Sequence, residues 1–447
     1  MDYRELAQSL LKDAVKRGAS GAEVLVVEDD SFSVRVRMRS VDTLLNAREK
    51  RLGLRLCFGH RSATTATSDL SQESLRRLLD DTAAMAQATA ADPFNGLPEP
   101  EGFASSFPDL GLYDPEPANL AVPERIGLAE AAESAALNFD PRIANSEGAE
   151  YGHGDARILF ANSHGVMGEY RSSSMSLSVT PVAKDNGGMQ RDGWYSVARR
   201  FKKLEPPETI GRTAAQRTLR RLGARKVATQ QVPVVFDPDM AASLLRNLCS
   251  AVSGSAIYRG ASFLVGRLGQ PVAAADLNVV DDGRVLEGLG SKPFDGEGLP
   301  TRKTMVIQDG VLASYLLDTY SARKLGLHST GNATRSLGQR PTVGPTNFFI
   351  SPGPHAPEAI IRSVDRGLYV TELIGFGVNL VTGDYSRGAA GVWIEGGELT
   401  YPVEEITIAG NLKEMLHQIE MIGWDLEWRG SIAAPTLKIA RMTVAGD

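Results

Sequence analysis

Cysteine is scarce: Cys57 and Cys249 are the 2 in 447 residues. Two thiols cannot build the disulfide framework of a small secreted domain, and they fit a reducing compartment. No apolar run approaches the roughly 20 residues that a membrane-spanning helix needs, so no membrane partner is expected. The net charge of −6 exerts no overall pull towards nucleic acid. Aromatic residues are few, at 6%, and do not interleave with the basic residues as they do in many nucleic-acid-binding motifs. Histidine is sparse too. His60, His153, His164, His328, His355 and His417 are scattered, and no two share a helical turn. That excludes a paired-histidine zinc motif on one helix. There is no Gly-x-Ser-x-Gly elbow. The N-terminus places Leu6, Leu10, Leu11, Ala14 and Val15 on one face of an amphipathic helix, and acidic residues interrupt it. It therefore reads as a helix rather than a signal peptide, and the expected location is the cytoplasm.

What is present is a chain long enough for two or three domains. Residues 22–27 form a short apolar strand, and 31–39 alternate with Phe32, Val34, Val36 and Met38 on one face. Residues 52–58 repeat the pattern with Leu52, Leu54, Leu56 and Phe58 inward. A second helix starts near Ser71 and turns Leu75, Leu78, Leu79 and Met85 inward; 93–113 reads as an exposed Pro/Gly-rich connection. A third helix covers about 123–137. Strands at 157–161 and 165–170 flank Asn162-Ser163-His164-Gly165, a hairpin signal. Residues 183–192 read as a mobile polar loop, and a helix over 208–222 stops at Gly223. Beyond it come many short apolar strands between Gly turns, at 303–307, 311–317, 346–350, 368–375 and 391–394, then a late helix over 411–422. The expected fold class is α+β: an N-terminal α+β domain of antiparallel strands and helices over 1–230, strand-rich at 142–205, followed by a mainly β, strongly curved or barrel-like C-terminal domain over 231–447.

The chain is organised around 233–290. A strand at 233–236 runs into a helix over 238–253, with Asp237 as N-cap and Pro238 at the first helical position. Met240, Leu244, Leu245, Leu248 and Val252 recur on one face, and Gly254 marks the stop. A Gly-punctuated run follows, then Val279-Val280-Asp281-Asp282-Gly283, a strand entering a tight turn. This stretch resembles the TldD/PmbA family, often labelled modulator of DNA gyrase, whose members are paired subunits of a cytoplasmic bacterial metallopeptidase. Gly383-Asp384-Tyr385-Ser386-Arg387-Gly388-Ala389 and the run from Tyr401 to Leu412 look like the PmbA (TldE) branch.

The resemblance has a specific consequence. The TldD subunit carries His-Glu-x-x-x-His on this same helix. Aligning the family's Gly-rich continuation on Gly254, Gly260, Gly266 and Gly269 puts Leu245 and Ser250 at the two histidine positions and Arg246 at the glutamate. TldD's third ligand is a downstream cysteine, and this chain has none after Cys249. The resemblance thus implies no catalytic or metal residue and no cofactor in this chain. Zinc and the general base are expected in a TldD-like catalytic subunit, with which this PmbA/TldE-type subunit would form a heterodimer. It also implies a substrate class of unstructured peptides, of the antibiotic-precursor or antitoxin type. The peptide-binding candidates are His328, Ser329, Asn332, Asp384, Tyr385 and Arg387.

Other readings stay open. A stand-alone peptide-binding or regulatory protein is one alternative. A non-zinc hydrolase using His328 and Ser329 is another, set against a polar turn whose hydroxyls cap backbone groups. Asp281-Asp282 reads as a hairpin turn or a metal-binding carboxylate pair. The basic run from Arg199 through Arg212, Arg217, Arg220 and Arg221 to Lys226 reads as a solvated face more than a nucleic-acid surface.

Overall fold

The computed structural model describes residues 2–185 and 188–446. The N-terminal part contains α1 (Tyr3–Lys16), β1 (Gly21–Arg37), β2 (Ser40–Phe58), β3 (Arg61–Thr67), α2 (Gln72–Ala88), α3 (Glu116–Asn119), α4 (Val122–Leu137), β4 (Ile143–Asn162), β5 (Met167–Asp185), β6 (Gly188–Arg191), β7 (Trp194–Ala198) and α5 (Pro207–Arg220). These strands form one seven-stranded sheet in the order β3-β2-β1-β4-β5-β6, with β7 also on β5. The helices lie in two pairs. Leu10 and Leu11 of α1 and Leu75 and Leu79 of α2 pack on Val24, Val26, Leu52 and Leu54. Ala132 of α4 and Ala214 of α5 pack on Val34, Tyr151 and Leu177.

Several expectations change here. The strands expected at 22–27 and 31–39 are one continuous strand, because the acidic residues Glu28, Asp29 and Asp30 stay in register with Lys50, Glu49 and Arg48 of β2. Met38 sits in the turn at φ 50° and is exposed, as are Met85 and Val15. β2 begins at Ser40, and residues 40–51 are exposed. The 93–113 connection is anchored, with Leu97, Leu110 and Leu112 buried. Residues 183–192 are no loop at their ends: Val182–Asp185 pair with β6, and 186–187 lie outside the described residues.

The C-terminal part runs β8 (Gln230–Phe236), α6 (Pro238–Ala251), α7 (Gly254–Tyr258), β9 (Val279–Asp282), β10 (Lys303–Gln308), β11 (Val311–Leu312), α8 (Thr319–Leu325), β12 (Ala333–Thr334), β13 (Thr342–Val343), β14 (Phe348–Ile350), α9 (Pro357–Arg362), β15 (Arg366–Ile374), β16 (Asp384–Glu395), β17 (Glu398–Asn411), α10 (Leu412–His417), β18 (Ile419–Ile422), β19 (Ile432–Ala433) and β20 (Leu437–Ala445). One sheet runs β17-β16-β15-β8-β20-β18, and a further β17–β20 pairing closes five of its strands into a barrel. A second sheet runs β11-β10-β9-β14-β19. The fold is α+β with a barrel-like C-terminal region. The late helix is shorter than expected: α10 ends at His417, and Ile419 and Ile422 belong to β18. β9 enters no hairpin either, because its partner β10 starts only at Lys303. The two halves meet where Phe294 packs between Phe160 and Tyr170, ring centroids 6.1 and 5.2 Å away.

Candidate functional site

Helix α6 is set by local chemistry. The Asp237 carboxylate accepts the Met240 backbone N–H at 2.9 Å, and Pro238 occupies a position where no N–H is needed. Its inner face carries Ala241, Leu244, Leu245, Leu248 and Cys249, all buried. Leu245 is 2% exposed, in an apolar pocket with Leu277, Ile350, Leu416 and Leu437. Arg246 and Ser250 stand one turn apart on the exposed face, where the Ser250 hydroxyl donates to the Arg246 carbonyl at 3.0 Å. The helix tip stays close to its neighbours: a Cβ at Gly254 would come within 2.5 Å of the Leu317 side chain.

Zinc needs neutral or anionic donors converging on one point. An alkyl group in the core, an exposed guanidinium and a hydroxyl bonded to its own helix do not fit that requirement. Burial pushes the Cys249 thiol up to about 12, opposite to what a metal thiolate needs. Among the described residues, no three His, Cys, Asp or Glu side chains gather as a ligand set.

The other singled-out residues fall in three places. His328 and Ser329 line a cleft of about 630 Å³ between the 98–102 segment and α8. The Ser329 hydroxyl donates to the Leu317 carbonyl at 3.2 Å and accepts the Gly331 N–H at 3.2 Å. Among the described residues no hydrogen bond joins His328 to Ser329. Asn332 is buried and donates to Asp281 at 2.6 Å. Asp281 also accepts from the Thr346 N–H and hydroxyl at 2.8 and 2.7 Å, so this carboxylate is a structural hub with its acceptors occupied. Asp384 is exposed, bound by the Thr382 hydroxyl at 2.6 Å and the Asn411 amide at 3.1 Å, which hold its carboxyl below the usual range. Tyr385 is buried, and burial pushes its phenol up to about 12. Arg387 reaches α6, 3.5 Å from the Ser243 hydroxyl. Ser250 lines a hollow of about 260 Å³ with Ser253, Ser255 and residues 343–345. The structure therefore brings Arg387 and Ser250 to α6, and places His328 and Ser329 in a different cleft.

Sequence reasoning missed a polar constellation at the junction of the two halves. Glu23 of β1 takes Arg55 of β2 at 3.2 Å and Arg335, from the loop after β12, at 2.8 Å, with all three side chains buried. Beside them lies a recess of about 40 Å³ whose lining includes Arg55, Glu297, Tyr258, Tyr320, Arg259 and Arg340. Burial raises the Glu297 carboxyl, and Asp295 and Asp318 add to the rise. Glu297 sits in a Gly-rich loop, where no periodicity could mark it as buried. The basic run is divided: Arg212 and Lys226 are exposed, as expected of a solvated face, while Arg199, Arg217 and Arg221 are turned inward. Arg199 donates to the carbonyls of Ser173 and Leu289 at 2.8 and 2.6 Å, Arg217 lies 3.3 Å from Asp192, and Arg221 pairs with Glu372.

Three family models match in succession: PmbA/TldA metallopeptidase domain 1 over 22–86, the central domain over 115–222 and the C-terminal domain over 229–446. This chain belongs to the PmbA/TldD family. Metalloprotease PmbA of Escherichia coli O157:H7 is 38% identical over 99% of this chain and 98% of its own length. The crystal structure of a Bacteroides thetaiotaomicron protein described as a candidate modulator of DNA gyrase superposes with a TM-score of 0.92 at 30% identity, covering 100% of both chains. TldE from Thermococcus kodakarensis shares the fold, with a TM-score of 0.89 at 22% identity over 99% of this chain and 100% of that one. In this PmbA-like chain no helix among the described residues is long and apolar enough to cross a membrane.

Proposed function

We propose that this chain is the non-catalytic, PmbA/TldE-type subunit of a two-subunit zinc peptidase acting on unstructured peptides in the cytoplasm. A TldD-like partner brings the zinc and the general base. This chain completes the chamber and positions the peptide, so its contribution is orientation rather than bond cleavage. The observation that carries the reading is the α6 surface. The positions aligned with the metal motif are a core leucine, a solvent-facing arginine and a serine bonded to its own helix. Exposed apolar side chains at and beyond the end of β15, which packs on α6, support a partner there: Phe376 is 99% exposed, with Ile374 and Val381 also exposed. The units in this reading are 1–230 and 231–447, with α6 at the start of the second.

The test mixes the purified chain with a TldD-like subunit and follows cleavage of an unstructured peptide, with and without chelator. Chelator-sensitive cleavage and co-elution in the mixture, with neither zinc nor cleavage in the chain alone, is the expected result. Zinc-dependent cleavage by the isolated chain would sink the proposal. A second reading, a stand-alone peptide-binding protein, is favoured by the 630 Å³ cleft being complete within one chain. It predicts peptide binding but no hydrolysis in any mixture.

A further inference from the structure

The small recess at the junction has features that the packing of the fold does not require. Arg259 and Arg340 are exposed at its mouth, and among the described residues neither forms an ion pair. Both are held by rings instead. The Arg340 guanidinium lies 5.6 Å from the Tyr320 centroid, and Arg259 lies 5.5 Å from that of Tyr258. The two tyrosines meet edge to face at 5.8 Å, and Asp92 accepts the Tyr320 hydroxyl at 2.7 Å, fixing that ring. Two planar cations are therefore pre-placed over an opening with no ion-paired carboxylate among the described residues, although Arg340 lies near enough to help the Tyr320 hydroxyl hold the Asp92 carboxyl below its ordinary range.

The walls fit a carboxylate. A volume of about 40 Å³, against the roughly 10–15 Å³ of cavity that one water needs, admits a group of carboxylate size. The acidic residues that line it do not oppose an anion as much as their number suggests. Asp318 is committed to capping α8, accepting the Ser321 N–H at 2.8 Å. Glu297 accepts the Thr319 N–H at 2.9 Å, and its raised carboxyl favours the protonated form, which can donate to an anion. Next to the recess, sharing Ser255 and Val343 with it, lies the 260 Å³ hollow that ends at Ser250. Among the described residues the two-residue strand between them, β13, pairs with β12 and leaves its other edge without a strand partner. Free edges accept extended peptides by strand addition.

We propose that this recess anchors the C-terminal carboxylate of an extended peptide, held by Arg259 and Arg340, with the preceding residues along β13 and over the hollow beside Ser250. The inference rests on the peptide-handling reading above and names the chemical feature of the peptide that this subunit recognises. It would give the subunit a direction as well as a grip, since only one end of a peptide carries this group.

The test compares one unstructured, fluorescently labelled peptide as its free acid and as its C-terminal amide. Binding to the full chain is measured by anisotropy, both alone and mixed with a TldD-like subunit in chelator. The free acid is expected to bind about tenfold tighter or better, the loss that follows when a charge-assisted pair goes unmade. Inorganic phosphate at millimolar levels should compete only weakly, because the strand contacts add to the anchor. Arg340→Gln and Arg259→Gln, both on the surface, should erase the preference by bringing the free acid's affinity down to that of the amide. Equal affinity of acid and amide would overturn the anchor but leave peptide handling standing. Failure of both peptides to bind, in both settings, would overturn the two together. Phosphate displacing the free acid stoichiometrically would reduce the recess to a simple anion site and also overturn the proposal.

Discussion

Helix α6, in the C-terminal half, and the recess beside Tyr320, at the junction of the two halves, treat polarity in opposite ways. On α6 the positions that match a metal motif are spent on packing and solvent: Leu245 in the core, Arg246 and Ser250 outside. At the recess, charge is buried and only partly compensated. Glu23, Arg55 and Arg335 each keep a buried polar atom without a hydrogen-bond partner. Buried polar groups left unpaired cost stability, and they persist where something beyond stability is served. The contrast teaches that buried, partly uncompensated charge in this chain lies at the junction between its halves and not at the aligned positions of α6.

The sharpest way to break the comparison is to remove charge from the junction. Glu23→Ala leaves two buried guanidiniums without their shared carboxylate and should cost about 3–5 kcal/mol in denaturant unfolding. A loss below about 1 kcal/mol would mean the network is wetter than the structure shows. Next in size is Leu245→His, which restores a ligand type at the motif position. It should lose about 2–4 kcal/mol, because it removes a core leucine and buries an imidazole. Equilibrium dialysis should find no gain in zinc, since Ser250 faces the other way.

The third prediction concerns pH. The Glu297 carboxyl is raised above its ordinary value of 4.5 in the folded chain. Its stabilising contribution is therefore complete below that value and is lost as the pH rises through the folded one, where the unpaired charge must form in the interior. Unfolding measured across this window should show stability falling with pH, and Glu297→Gln should flatten the fall. An unchanged slope would place the titrating group elsewhere. Smallest of all is Ser250→Ala, expected within about 0.5 kcal/mol of the parent, because its hydroxyl only decorates an exposed helix face.

What the sequence made legible follows from where pattern and structure coincide. Alternation marked Phe32, Val34, Val36, Leu52, Leu54 and Leu56, and all six are buried in the N-terminal sheet. Asp237, Pro238 and the Leu244-Leu245-Leu248 stripe marked α6, because a cap and a helical period are local signals. Residues 28–30 and 40–51 were silent, since polar strand residues have no apolar period to betray them. The helix expected to reach 422 ends at His417, where β18 pairs with β20 and tertiary pairing overrides the amphipathic pattern. The recess was illegible for a different reason. Glu297, Tyr320 and Arg340 come from separate loops and a helix of the C-terminal half, and only the docking of the two halves adds Arg55 to them.

The central claim is that the chain handles peptide while a partner supplies the metal. It is tested most directly by measuring zinc content and peptide cleavage for this chain alone and with a TldD-like subunit. The account predicts no zinc and no cleavage alone, and chelator-sensitive cleavage by the mixture. Stoichiometric zinc and cleavage in the isolated chain would contradict it.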